Sequence, residues 1–199
     1  MHPDSAFRWD DEPAMLAAAS ELGWARLFAM TAAGPRVAHA AVLIDAARRV
    51  VRFHLANNNA VTAALTEGPV LALFEGPHAY VSASWYRAPL ANVPTWNYVA
   101  IECEGRAVAL DEDGLVALLD DLAMHNEHAH GGDWSAKAMD RRRFDAMLPA
   151  ITAFELSIDA MRGTRKLSQN KPAADIAALA DGVERSGAVG LAALMREGL

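Results

Sequence analysis

Three strand-like segments follow one another between Trp24 and Leu55 with short joins, and this spacing constrains the fold more than any other feature. Trp24 to Thr31, Arg36 to Ile44 and Arg49 to Leu55 are separated by Ala-Ala-Gly-Pro at 32–35 and by a turn at 45–48. A parallel pair needs a crossover of a dozen or more residues, so joins this short leave only antiparallel neighbours. Further strands are expected at 69–75, 78–82, 97–110, bent at Gly105, and 151–161. Helical period frames them. Over 10–22, Met15, Leu16, Ala19 and Leu22 recur at helical spacing, Pro13 suits the first turn and Gly23 ends the run. Residues 58–67 read as a short helix. From the cap at Asp111 the period returns with Leu115, Leu118, Leu119, Leu122 and Met124; Gly131-Gly132 then breaks the chain. Helices are also expected at 135–147, 172–181 and 187–197. The expected class is mainly β with helical additions (α+β), a closed or partly closed β-barrel. It would be one domain over 1–199, with a helical insertion at about 111–147 and C-terminal helices at 172–199.

Bulk properties exclude some functions. The 199 residues suffice for one buried core, and the formal net charge of −7 argues against a broad surface that tracks phosphates. The single cysteine, Cys103, rules out an intrachain disulfide framework and a four-cysteine metal site, which suits a reducing, cytoplasmic setting. The N-terminus lacks a basic stretch followed by an apolar run, and no apolar span reaches membrane length, so neither a secretory signal nor a membrane partner is expected.

All three tyrosines, Tyr80, Tyr86 and Tyr98, fall within one segment that also carries Trp85 and Trp96. Side chains with an apolar body and a polar tip suit a pocket wall, where a plain core would use Leu, Ile and Val. His39 and His54 sit on adjacent expected strands, either lining that pocket or hydrogen-bonded within a barrel. His125 and His128 are spaced to share one ion, with Glu127 and His130 nearby. They also lie where a helix runs into Gly-Gly, and exposed polar residues at a helix end are the preferred reading. Lys166, Ser168, Gln169 and Asn170 form a donor-rich loop before Pro172, suited to an anion or a dimer contact. Ser82 and Ser84 lie outside any Gly-x-Ser-x-Gly elbow, and neither a dinucleotide fingerprint nor a P-loop is present. Cys103 lies between Glu102 and Glu104, which disfavour its thiolate.

Four blocks carry a resemblance: His54-Leu55-Ala56; Gly76-Pro77-His78-Ala79-Tyr80-Val81-Ser82 with Ser84-Trp85-Tyr86; Val93-Pro94-Thr95-Trp96-Asn97-Tyr98; and Lys166-Leu167-Ser168-Gln169-Asn170-Lys171-Pro172. Together they resemble the PaiB-like, FMN-binding negative transcriptional regulators, in order from about Phe7 to Gly182. The resemblance implies a split β-barrel, a homodimer and FMN at the dimer interface. The site residues it implies are His39, His54, Asn57, Asn58 and Asn59, with Trp85, Trp96, Asn97 and Tyr98 at the ring and Lys166, Ser168 and Gln169 closing the site. Where the family carries an arginine after His-Leu-Ala, this chain has Asn57, which lacks the forked charge that suits a phosphate. Ala41 likewise stands where the family has a proline. The resemblance leaves open direct DNA binding, a flavin-dependent oxidoreductase using NAD(P)H, and a flavin-free ligand-binding barrel.

Overall fold

A computed structural model describes residues 2–197. In chain order it contains β1 (Arg8–Trp9), α1 (Glu12–Leu22), β2 (Trp24–Thr31), β3 (Gly34–Asp45), β4 (Val50–Ala56), β5 (Pro69–Val81) and β6 (Thr95–Ala109). These are followed by α2 (Glu112–His130), α3 (Arg141–Met147), β7 (Ile151–Lys166), α4 (Ala173–Arg185) and α5 (Val189–Arg196). Residues 198 and 199 of the expected C-terminal helical segment lie outside the described residues.

The strands among the described residues form one seven-stranded sheet in the order β1-β7-β4-β3-β2-β5-β6, and β7 also pairs with β6. The order therefore returns on itself, the connectivity of a barrel. The short joins give the expected antiparallel meander. β2 meets β3 from Trp24↔Ala41 to Thr31↔Gly34, and β3 meets β4 from Val42↔Phe53 to Asp45↔Val50.

Three local expectations change. β5 is one strand across Gly76-Pro77 where two were expected. β2 pairs with only Leu71, Ala72 and Leu73 of it, and a proline beyond a paired stretch loses no ladder hydrogen bond on that side. Residues 58–67 yield only a 3-10 turn at Ala63–Thr66. The expected helix at 135–147 starts late, because Asp140 caps α3 by accepting a hydrogen bond from the Arg143 N–H at 2.9 Å.

The chain divides into two compact units. One comprises residues 1–11, 75–101 and 162–199; the other comprises 12–74 and 102–161. β5, β6 and β7 each contribute to both. The second unit holds the meander, whose inward side chains follow strand alternation. Val51, Phe53 and Leu55 on β4 are buried with Phe154 and Leu156 on β7, and the Phe53 and Phe154 rings stack at 5.6 Å. Gly105 on β6 faces the backbone of β7, where any Cβ would collide with the Ser157 carbonyl. On the opposite face of β4, α2 and α3 bury Leu115, Leu118, Leu122, Phe144 and Leu148 around Ala153. The first unit packs α4 and α5 against Val81, Tyr86, Val99 and Leu167.

Candidate functional site

Within the first unit, β6 begins Thr95-Trp96-Asn97-Tyr98, and strand period decides what each residue does. Successive side chains point to opposite faces. Trp96 is 55 % exposed, whereas Asn97 is fully buried. Trp96 forms an outward aromatic group with two residues of β5. Tyr80 meets it edge-on at 6.2 Å, and His78 lies at 6.3 Å. Tyr98 is half-buried on the same alternation as Trp96.

Asn97 faces the other way. Its amide N–H donates to the Ser168 hydroxyl at 2.9 Å and to the Met195 sulfur at 3.6 Å, and the Ser168 hydroxyl donates back to the Asn97 carbonyl at 3.3 Å. Ser168 itself is buried and holds a left-handed backbone at φ 64. Left-handed backbone costs a non-glycine residue about 1 kcal/mol, and the paired hydrogen bonds hold Ser168 there.

Lys166 ends β7 beside this pair. Its ammonium donates to the Thr95 hydroxyl and, at 2.6 Å, to the Trp96 carbonyl, and lies 5.8 Å from the Phe7 ring centre. Burial pushes its pKa below the ordinary lysine value. Lys166, Lys171, Ser168, Asn170, Thr95 and Asn97 line a cleft of about 290 Å³ together with His2, Asp4 and Phe7. The ammonium of Lys171 donates to Asn92 at 3.3 Å and sits 5.4 Å from the Tyr86 ring centre.

Two expected site residues of this unit serve its architecture. Gln169 accepts from the Leu167 N–H at 2.7 Å and donates to the carbonyls of Ala6, at 3.0 Å, and Arg165. Trp85 packs against α4 at Gly182, where a Cβ would meet its ring. Thr95, Lys171 and His78 were not among the expected site residues, and Tyr80 was expected only as part of a pocket wall. The Lys-x-x-x-x-Lys spacing of 166 and 171 was visible in the sequence, but the return of β7 beside β6 that brings Lys166 to Thr95 was not.

The second unit holds the remaining expected residues. The Asn57 amide donates to the Pro149 carbonyl at 2.8 Å, and its carbonyl accepts from the Thr152 hydroxyl at 2.6 Å. Asn57 thus clamps the end of β4 to the start of β7. Asn59 accepts from the Val61 N–H at 2.9 Å and shapes the turn, while Asn58 is exposed. His39 is exposed on β3 and stacks on Trp24 at 6.3 Å. His54 points to the outer face of β4. Burial lowers its pKa, and its Nδ1 has no partner among the described residues.

The other candidates are quickly placed. His130 Nδ1 pairs with the Asn126 carbonyl at 2.7 Å, and among the described residues no group of three His, Cys, Asp or Glu is placed to hold a metal. Burial pushes the Cys103 thiol up to about 12. No described helix is long and apolar enough to cross a membrane.

The family model described as “Putative FMN-binding domain” matches residues 1–160. The Bacillus subtilis protein named Protease synthase and sporulation protein PAI 2 is 34% identical over 106 residues, which cover 53% of this chain and 50% of that protein. An uncharacterised Aspergillus fumigatus protein is 28% identical over 167 residues, covering 72% of this chain and 64% of the other. The chain therefore spans between half and just under two thirds of these curated relatives. Among solved structures, the flavocytochrome Anf3 from Azotobacter vinelandii matches with TM-score 0.60 at 13% identity, covering 83% of this chain and 72% of that one. The FAD and heme binding protein from Mycobacterium smegmatis matches with TM-score 0.58 at 14% identity, covering 80% and 73%. Identity this low speaks for a shared fold, the split barrel, and for nothing finer.

Proposed function

Because the chain belongs to the FMN-binding domain family, we propose that it binds FMN as a cytoplasmic homodimer and serves as a flavin-binding regulatory protein. The family match over residues 1–160 carries this reading. The residues present also fit the cofactor. Trp96, Tyr80 and His78 offer an aromatic surface that is already half open to solvent, and a planar ring stacked there gains about 0.5–1.5 kcal/mol per aromatic partner beyond burial. FMN supplies redox chemistry when bound; the chain supplies stacking, hydrogen bonds and charge.

Lys166 and Lys171 are the donors we assign to the phosphate. Lys166 has three N–H bonds and its two protein acceptors leave one for an anion. An arriving phosphate would also reverse the burial penalty that lowers its pKa. Both lysines follow the matched stretch, so their assignment rests on geometry. Asn57, Asn58 and Asn59 lie in the second unit and are given no part in this cleft; the Asn57 side chain is engaged by Pro149 and Thr152.

The homodimer reading draws on the outward face of the β2–β3 hairpin. Trp24, Met30 and Val37 are all exposed there, on a face that also carries His39. Clustered apolar exposure of this kind marks an interaction surface more often than a solvated one. The regulatory part rests on the resemblance to the PaiB-like regulators and on the Bacillus subtilis relative named Protease synthase and sporulation protein PAI 2. The net charge of −7 favours regulation that does not run through a broad DNA contact.

The test is the visible absorbance of freshly purified protein, then titration with FMN and sedimentation equilibrium. Flavin bands or saturable uptake in a dimer are expected, and Trp96→Ala should weaken FMN at least tenfold. A colourless protein that takes up no FMN, or unchanged affinity in the Trp96 variant, would sink the assignment. A salt-sensitive shift of promoter DNA would transfer the regulatory role to direct contact.

A further inference from the structure

The lysine cleft of the first unit shares its lining with the chain's own N-terminal segment, where His2, Asp4 and Phe7 stand beside Lys166 and Lys171. Phe7 anchors that segment. It is buried, the Lys166 ammonium lies 5.8 Å from its ring centre, and the Gln169 amide donates to the carbonyl of the preceding Ala6 at 3.0 Å. Residues 2–5 are held differently. The Asp4 carboxylate accepts from the Ala6 N–H at 2.9 Å, the Asp4 N–H donates to His2 Nδ1 at 3.1 Å, and the Phe7 N–H donates to the Asp4 carbonyl at 3.2 Å. The His2 ring meets Phe7 edge-on at 4.7 Å. All of these contacts close within residues 2–7. Among the described residues, positions 2–5 make no hydrogen bond or ion pair to anything beyond that segment.

Resting on the reading of this cleft as the phosphate end of an FMN site, we propose that residues 2–5 are a displaceable plug that inhibits flavin uptake, with Asp4 as the built-in competitor of the phosphate. Three observations carry this. Asp4 is the one acidic residue in a lining with two lysines, and it is paired with neither of them. Its carboxylate therefore repels the anion that the lysines attract. The cleft, at about 290 Å³, falls short of the roughly 300–1,000 Å³ usual for small-molecule sites, so a whole nucleotide enters only when part of the lining leaves. Residues 2–5 are the part that can leave, since swinging them about Phe7 as a body breaks no hydrogen bond to the barrel. Segments tied this weakly to their surroundings open at little cost.

The test is calorimetric titration of FMN and riboflavin into the full chain, into Asp4→Asn and into a variant lacking residues 2–5. Asp4→Asn keeps the oxygen that accepts from Ala6 and removes the charge. It should bind FMN about threefold tighter, the scale of an exposed charge contact, and riboflavin, which has no phosphate, should not respond. A site open for about a tenth of the time binds about tenfold more weakly than one always open, so the shortened chain should take up FMN about tenfold tighter. A nitroxide label on Ser5→Cys, with the native Cys103 buried, should gain mobility when FMN is added. Unchanged FMN affinity in Asp4→Asn, weaker uptake by a shortened chain with native circular dichroism, or a label indifferent to FMN would each overturn the plug and leave the FMN reading standing. Uptake of FMN by none of the three chains would overturn both.

Discussion

Replacing Ser168 tests whether the Asn97–Ser168 pair is what holds the lysine cleft in shape. Ser168→Ala removes the reciprocal hydrogen bonds and leaves the fully buried Asn97 carbonyl without its donor. Leaving such a group unpaired costs about 1–3 kcal/mol. The Cβ stays at φ 64, so the backbone cost is unchanged. Ser168→Gly loses the same bonds but relieves about 1 kcal/mol of left-handed backbone cost. Alanine should therefore destabilise by about 2 kcal/mol and glycine by about 1. Asn97→Ala opens a void in addition, and about 2–3 kcal/mol is expected. The double variant Asn97→Ala with Ser168→Ala should cost less than the sum by about 1 kcal/mol, because neither orphan then remains. Urea unfolding followed by tryptophan fluorescence and circular dichroism, with coincident transitions, reads these values. Additivity within about 0.3 kcal/mol, or a glycine variant no better than alanine, would refute the reasoning.

Other residues give sharper yes-or-no outcomes. Gly105→Ala forces a methyl into the Ser157 carbonyl, so a loss of about 3 kcal/mol or more is expected from the forced overpacking, read as a lowered thermal midpoint; an unchanged midpoint would mean β6 and β7 do not approach this closely. Burial holds the folded-state pKa of His54 below its ordinary value of about 6.5. As pH falls through 6.5 the unfolded chain takes up this proton first, so the contribution is complete above that pH and shrinks below it. The thermal midpoint should drop between pH 7.5 and 5.5, and His54→Gln should flatten that part of the drop; identical profiles would exclude the residue. The Cys103 thiol, at about 12, should resist iodoacetamide at pH 8 in the folded protein and react in urea. Labelling of the native state at the urea rate would show the strand to be open.

The legible part of the fold was the part written in local pattern. The four-residue joins at 32–35 and 45–48 allow only an antiparallel meander, and β2 to β4 follow it closely. Asp111 caps α2 as expected, accepting from the Gly114 N–H at 2.9 Å. What failed was punctuation that tertiary pairing overrode. Gly76-Pro77 reads as a break, yet the glycine lies against Val99 of the neighbouring strand and the chain continues. The sequence offered candidate site residues as a list, and their hydrogen-bond partners were not legible in it. The resemblance named Asn57 as a phosphate neighbour, and nothing in its own neighbourhood of sequence announced Pro149 and Thr152 as the groups that occupy it.

The Trp96-Asn97-Tyr98 block shows why contiguous motif residues need not share a task. A strand alternates faces, so residues adjacent in sequence are separated by the thickness of the sheet. If all three met one ligand, Asn97 would have to leave a buried position in which its amide bonds Ser168 and Met195. The cost of vacating that position, about 1–3 kcal/mol for the orphaned hydroxyl alone, is comparable to what one ligand hydrogen bond returns. On the proposed FMN reading, Asn97 is a positioning residue. It fixes Ser168, Ser168 fixes the left-handed turn after β7, and that turn sets Lys166 and Lys171 on the cleft. Asn97→Ala should then weaken FMN through the lysines and leave the Trp96–Tyr80 surface intact. The measurable signature is a loss of FMN affinity that riboflavin, which lacks the phosphate, does not share. Equal losses for both ligands would place Asn97 in contact with the ring instead.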